Sequence, residues 1–240
     1  MSFWNHLDEL RSRFVVCLYI FFAGFFACYL LSDKLLDFLR RPLFKYLPEQ
    51  GRHLYYTGLF ENFFVHLRVA GYGSLVLLSP AYFLVLWRFV APALYERERR
   101  HVLPFVVAAS LFFLVGTSFA YFVLFPAGIR YFLAYGTPAE VAWLTLESYV
   151  SLVLKILFGF GVCFQLPVVL VLLAKVGVVT HSMLAAHRKN ALVVVAVISA
   201  LVAPPDAISM LLLMVPLYLL FEGALAVVGL MQKQKDPTES

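Results

Sequence analysis

The sequence predicts an all-α, polytopic membrane protein of six transmembrane helices, the last two short, with both termini cytoplasmic. Three observations predict it. Of 240 residues, 62% are hydrophobic and 14% charged, with a mean hydropathy of +0.87, whereas a water-soluble domain carries about a quarter charged residues. Charge disappears along six runs, and crossing about 30 Å of hydrocarbon takes about 20 helical residues. Lys and Arg then concentrate on alternate loops. With 24 Phe and 13 Tyr the chain is no disordered polymer, and with three cysteines it is no disulfide scaffold. Cys17, Cys28 and Cys163 lie inside apolar stretches at spacings that match no metal or haem site. The net charge of +5 is scattered between apolar runs, so it reports topology and predicts no nucleic-acid partner.

The spans follow as a single integral domain over 1–240, at about 14–31, 69–87, 102–129, 148–174, 190–205 and 207–221. The first resembles a secretory signal, yet Asp8 and Glu9 beside Arg11 and Arg13, and the bulky Phe25 and Phe26, argue for a retained anchor. The third is uncharged and long enough to tilt. The fourth contains Lys155. The last two are separated by a tight corner at Pro204, Pro205 and Asp206, and about 15 residues reach only about 22 Å, so this hairpin thins the bilayer or begins outside it.

Orientation rests on the basic residues near the span ends. Arg11, Arg13, Arg88, Arg97, Arg99, Arg100, Lys175, Arg188, Lys189, Lys233 and Lys235 outnumber the opposite set of Lys34, Arg40, Arg41, Lys45, Arg52 and Arg130. Both termini are therefore placed in the cytoplasm. The first outer loop has structure of its own: Ser32 is a capping residue for a short helix with Leu35, Leu36, Leu39 and Leu43 at helical spacing. That helix lies in the outer interface, with Pro42 and Pro48 limiting its length. The chain returns through Gly51 to Gly58 into the second span, where Glu61 and Arg68 stand two turns apart.

Neither a phosphate-binding Gly-rich loop nor a hydrolase or metalloprotease motif is present, so the chain is predicted not to be an enzyme and to need no cofactor or metal. The six histidines fall mostly in predicted water-facing loops, where solvated side chains are expected and not metal ligands. The acids of the basic face carry more information. Glu96 and Glu98 stand in Tyr-Glu-Arg-Glu-Arg-Arg between spans two and three, and Glu9 precedes span one. They either neutralise neighbouring arginines, as Glu96 with Arg100 at i,i+4, or form an acidic site for a basic partner at the bilayer surface. At membrane depth Lys155, Gln165 and Glu222 need partners or a functional reason, unless Glu222 sits at the cytoplasmic interface. Pro167 removes a donor just after Gln165, leaving carbonyls about a turn earlier available; Gln165 either bridges two helices of this chain or receives a partner's helix.

Five segments carry a family resemblance over nearly the whole chain: His6 to Arg13 (His-Leu-Asp-Glu-Leu-Arg-Ser-Arg), Phe89 to Arg100, Phe119 to Pro126, Phe160 to Pro167 and Ala203 to Asp206. They are similar to the TatC family, the multispanning receptor subunit of twin-arginine protein translocases. The resemblance implies a receptor in the bacterial inner membrane that binds the paired-arginine signals of folded proteins and nucleates assembly driven by the proton-motive force. It further implies that Glu9 and Glu98 hold the arginines, with Phe89 and Tyr95 beside them, and that Arg11 and Arg13 hold phosphate groups and local structure. Pro42, Glu61, Tyr121, Gln165 and Asp206 match positions implicated in transport or partner contact. Many relatives carry glutamate where Gln165 stands, which removes a titratable charge here. TatA and TatB helices, other copies of the chain and the lipid bilayer are the implied partners. A secondary transporter for a small solute would show paired repeats with broken helices, and an intramembrane enzyme a clustered acid-base pair; the sequence has neither.

Overall fold

Backbone groups left unpaired in hydrocarbon are costly, and a helix pairs them all within one segment, so apolar runs fold as helices. A computed structural model describes residues 3–47, 53–90, 102–134, 143–202 and 207–235. In chain order the helices are α1 (Phe3–Leu30), α2 (Ser32–Phe44), α3 (Glu61–Leu77), α4 (Ser79–Val90), α5 (Val102–Phe119), α6 (Phe125–Ala134), α7 (Leu146–Cys163), α8 (Leu166–Lys175), α9 (His181–Ala186), α10 (Arg188–Val202) and α11 (Ala207–Lys235). A π-helical turn, Ala120–Leu124, joins α5 to α6. Among the described residues the only β pairing is an isolated bridge between Tyr55 and Thr145.

Among the described residues four stretches are long and apolar enough to cross a membrane: Leu10–Leu30, Leu103–Leu133, Leu146–Lys175 and Met210–Gln232. A fifth is formed if Glu61–Leu77 and Ser79–Arg88, bent by 59°, count as one span. The bend falls just before Pro80, which has no N–H to continue the ladder. The exterior is oily. Leu30 is 85% exposed and Phe26 63%, a surface that suits lipid and would drive aggregation in water.

The chain divides into two compact units, Met1–Phe158 and Gly159–Ser240. In the first, α1 packs along α3 at Gly24, where a Cβ would come within 2.4 Å of both Ser74 Oγ and Leu78 Cδ1. That close approach lets Ser74 Oγ donate to the Phe21 carbonyl at 3.1 Å. Trp87 of α4 stacks on Phe105 of α5 with centroids 4.8 Å apart, and Phe113 packs edge-on against both Phe83 and Phe158. The predicted short helix forms as α2, with Leu36, Leu39 and Leu43 buried. Ser32 does not cap it: its hydroxyl lies 3.0 Å from His66 Nδ1, and Leu31 precedes the helix without a side-chain cap. His66 is therefore engaged in a helix, not solvated in a loop.

In the second unit α11 packs against α8 and α10 around Leu184, Phe221, Leu225 and Val228. Gly177, at φ +81°, follows α8 in the left-handed conformation that commonly ends helices. Thr180 caps α9 by accepting from Met183 N–H at 3.3 Å. The last helix is longer than the predicted span. α10, with 15 residues, is short as expected, but α11 has 29 residues and runs past Glu222. Glutamate is a good helix former and does not interrupt α11; the Glu222 carboxylate is held by Arg188, 3.0 Å from Oε2, and by the Tyr218 hydroxyl, which donates to Oε1 at 2.9 Å.

Candidate functional site

Pro42 stands inside α2, is buried, and cannot donate to the Phe38 carbonyl four residues earlier. Tyr121 supplies the missing donor. Its hydroxyl donates to the Phe38 carbonyl oxygen at 2.6 Å, and its ring stacks on the Phe38 ring at 4.3 Å and 9°. The position of Tyr121 follows from another proline: Pro126 offers no N–H to the Phe122 carbonyl, and the helix widens so that Phe125 N–H bonds Ala120 O, five residues back. Tyr149 of α7 donates to the next α2 carbonyl, that of Leu39, at 2.7 Å. Two phenols from two helices thus hold consecutive carbonyls of α2. Pro42 and Tyr121, singled out separately in the sequence, are brought together.

Glu61 anchors the same unit at the start of α3. Its Oε2 accepts from Thr57 N–H at 2.6 Å, Thr57 hydroxyl at 3.0 Å and Gly58 N–H at 3.2 Å; its Oε1 accepts from Glu147 N–H at 3.0 Å. The carboxylate ties the segment before α3 to the first turn of α7. Arg68, two turns along α3, reaches Glu147 Oε1 at 2.6 Å and Ser151 Oγ at 2.9 Å. Backbone pairing completes the junction, with Leu146 N–H on the Tyr55 carbonyl at 2.8 Å. Sequence spacing brought Glu61 and Arg68 to notice as a pair, but each finds its partner on α7.

Gln165 lies in the second unit, between α7 and α8. Cys163 ends one helix and Leu166 begins the next, because Pro167 enters at the first turn, where its missing N–H costs nothing. The Gln165 carbonyl still accepts from Val169 N–H at 2.9 Å, and the side chain is half-buried.

The expected signal-binding residues are described only in part. Glu9 is on α1 and Phe89 on α4, with their side chains outside the described residues; Tyr95, Glu98 and Asp206 lie outside them altogether. Among the described residues no group of His, Cys, Asp and Glu has the makings of a metal site. Cys17, Cys28 and Cys163 are unpaired thiols in helices. Lys155 is exposed on the α7 surface. The sequence reading missed Tyr149 and Glu147; Tyr149 sits among apolar residues with no periodic signal, and Glu147 reads as an ordinary first-turn acid.

Comparison with known proteins returns one family. The family model "Sec-independent protein translocase protein (TatC)" matches residues 5–216. A Sec-independent protein translocase protein TatC from Desulforapulum autotrophicum is 36% identical over 237 residues, covering 99% of this chain and 87% of that protein. The protein of the same name from Escherichia coli (strain K12) is 38% identical over 219 residues, covering 91% and 84%. A crystal structure described as the twin arginine translocase receptor TatC in DDM superposes with a TM-score of 0.84 at 31% identity, covering 93% of this chain and 99% of that one.

Proposed function

This chain belongs to the TatC family of Sec-independent protein translocase proteins, and we propose that it is the receptor for the twin-arginine signal peptides of folded proteins. The observation that carries the proposal is the match, over 93% of the chain, to a solved protein described as the twin arginine translocase receptor. The family is a translocase component and not an enzyme.

Glu9, on α1, and Glu98, in the stretch of sequence between α4 and α5, are the two carboxylates for the paired arginines. The chemistry fits: a planar guanidinium meets a carboxylate through two parallel hydrogen bonds, and a lysine ammonium cannot reproduce that fork. Phe89 and Tyr95 offer aromatic faces to an arginine or to the apolar flank of the signal. The chain crosses the bacterial inner membrane six times with both termini cytoplasmic, α10 supplying the short fifth span. Signal binding nucleates assembly with TatA, TatB and further copies of the chain. The proton-motive force drives transport. With an amide at Gln165, a proton-linked step uses another group.

The test is binding of a fluorescent twin-arginine signal peptide to the detergent-purified protein, beside a twin-lysine version. Charge-assisted hydrogen bonds are worth about 1.5–3 kcal/mol, so arginine is preferred by roughly tenfold or more, and Glu98→Ala or Glu9→Ala removes the preference. Equal binding of both peptides by protein and variants alike would overturn the assignment of these carboxylates.

A further inference from the structure

The first unit holds an apolar groove of about 240 Å³, walled by Leu35 and Phe38 of α2, Tyr72 of α3, Leu114 of α5, Tyr121 of the π turn and Leu157 of α7. Thr117, which also lines it, turns its hydroxyl to its own helix, donating to the Phe113 carbonyl at 3.0 Å. The walls therefore offer little to a polar ligand. An apolar groove of this kind, open on one side, suits the acyl chain of a lipid.

A second observation supplies the headgroup. Lys34, Phe38, Arg41 and Lys45 recur along α2 within about 60° of its circumference, and all four are exposed. Of the neighbouring acids, Asp37 lies 3.5 Å from Arg40 Nη1 and Asp33 3.9 Å from His66 Nε2, both beside the stripe and not within it. Among the described residues Lys34 and Arg41 have no ion pair. Phe38 belongs to both features, since it stands in the basic stripe and forms a wall of the groove. Its stack on Tyr121 and the hydrogen bond to its carbonyl fix that junction.

We propose that this groove and stripe form a binding site for an anionic phospholipid, one acyl chain lying under Phe38 and the phosphate held by Lys34 and Arg41. Charge selects the headgroup and the apolar walls select the chain. The bound lipid would brace α2 from the membrane side, while Tyr121 and Tyr149 brace it from the protein side.

The experiment is native mass spectrometry of the full-length protein released from detergent micelles after titration with phosphatidylglycerol or phosphatidylcholine of matched chains. Each interfacial cation adds about fivefold to the binding of an anionic lipid. Phosphatidylglycerol is therefore retained well above phosphatidylcholine. The double variant Lys34→Gln, Arg41→Gln brings the two lipids level, a loss of roughly twenty- to thirtyfold. Ser118→Phe, at an exposed groove position, lowers both, with the circular dichroism of each variant checked against the parent. Glycerol 3-phosphate, the headgroup without chains, displaces nothing. In cell membranes, benzoylphenylalanine at Leu114 yields a phospholipid adduct. Equal retention of the two lipids by the parent, full phosphatidylglycerol binding by Ser118→Phe, displacement by glycerol 3-phosphate, or a protein adduct at Leu114 would each overturn the proposal.

Discussion

Replacing Tyr121 by phenylalanine tests whether a side chain from a distant helix repairs the gap that Pro42 leaves in α2. The substitution keeps the ring that stacks on Phe38 at 4.3 Å and removes only the hydroxyl that donates to the Phe38 carbonyl at 2.6 Å. A buried carbonyl left without a donor costs about 1–3 kcal/mol. In a chain of this size, that lowers the midpoint of thermal unfolding by about 2–12 °C at 2–4 °C per kcal/mol. In a Pro42→Ala background the backbone N–H of residue 42 becomes the donor, and removing the hydroxyl costs only about 0.5 kcal/mol. The double-mutant cycle should therefore show a coupling of about 0.5–2.5 kcal/mol. Tyr149→Phe is the control. Its acceptor, the Leu39 carbonyl, has the N–H of Leu43 one helical turn on, so this variant should couple weakly to Pro42→Ala. Unfolding would be followed by circular dichroism of the purified protein in detergent. Additivity of Tyr121→Phe and Pro42→Ala within about 0.3 kcal/mol would refute the argument.

Three further outcomes are expected. Gly24→Val pushes a branched side chain into Ser74 Oγ and Leu78 Cδ1, each 2.4 Å from where its Cβ must go, and overpacking of this kind costs about 1–3 kcal/mol; an unchanged unfolding midpoint would mean α1 and α3 can part freely. Glu61→Gln replaces one accepting oxygen by a donor, so whichever way the amide turns it loses partners among the Thr57, Gly58 and Glu147 N–H groups. Amide exchange at those residues should quicken while the interior of α3 stays protected, and unaltered exchange would count against the junction. Gln165→Leu should leave signal-peptide affinity unchanged while lowering transport in reconstituted vesicles; full transport would make this residue purely structural.

How much of this was legible in the sequence depends on where each partner lies along the chain. The helices were legible because their cause is local: apolar runs bounded by charge, Gly and Pro. α2 was read from its leucine spacing, and Leu36, Leu39 and Leu43 are indeed its buried face. Errors arose where a distant group changed the meaning of a local signal. Ser32 looked like a cap, but His66 takes its hydroxyl. Glu222 follows the predicted end of a span, yet α11 continues past it, and its carboxylate is paired with Arg188, 34 residues earlier. Pro80 was legible as a residue, though the 59° bend it marks was not foreseen.

The site divides in the same way. Pro42, Tyr121 and Glu61 were each picked out, but nothing in their spacing says that a phenol 83 residues from Phe38 satisfies the carbonyl Pro42 orphans, or that Glu61 holds the N–H of a residue 86 positions on, in the first turn of α7. In hydrocarbon an unpaired polar group must find a donor or acceptor somewhere, since water is not available. A buried proline or carboxylate, such as Pro42 or Glu61, therefore announces that a partner exists without naming it. The partner is chosen by helix packing, which in this chain turns on Gly24 and on the widened turn before Pro126. Residues that make no periodic pattern of their own, such as Tyr149, become visible only once that packing is known.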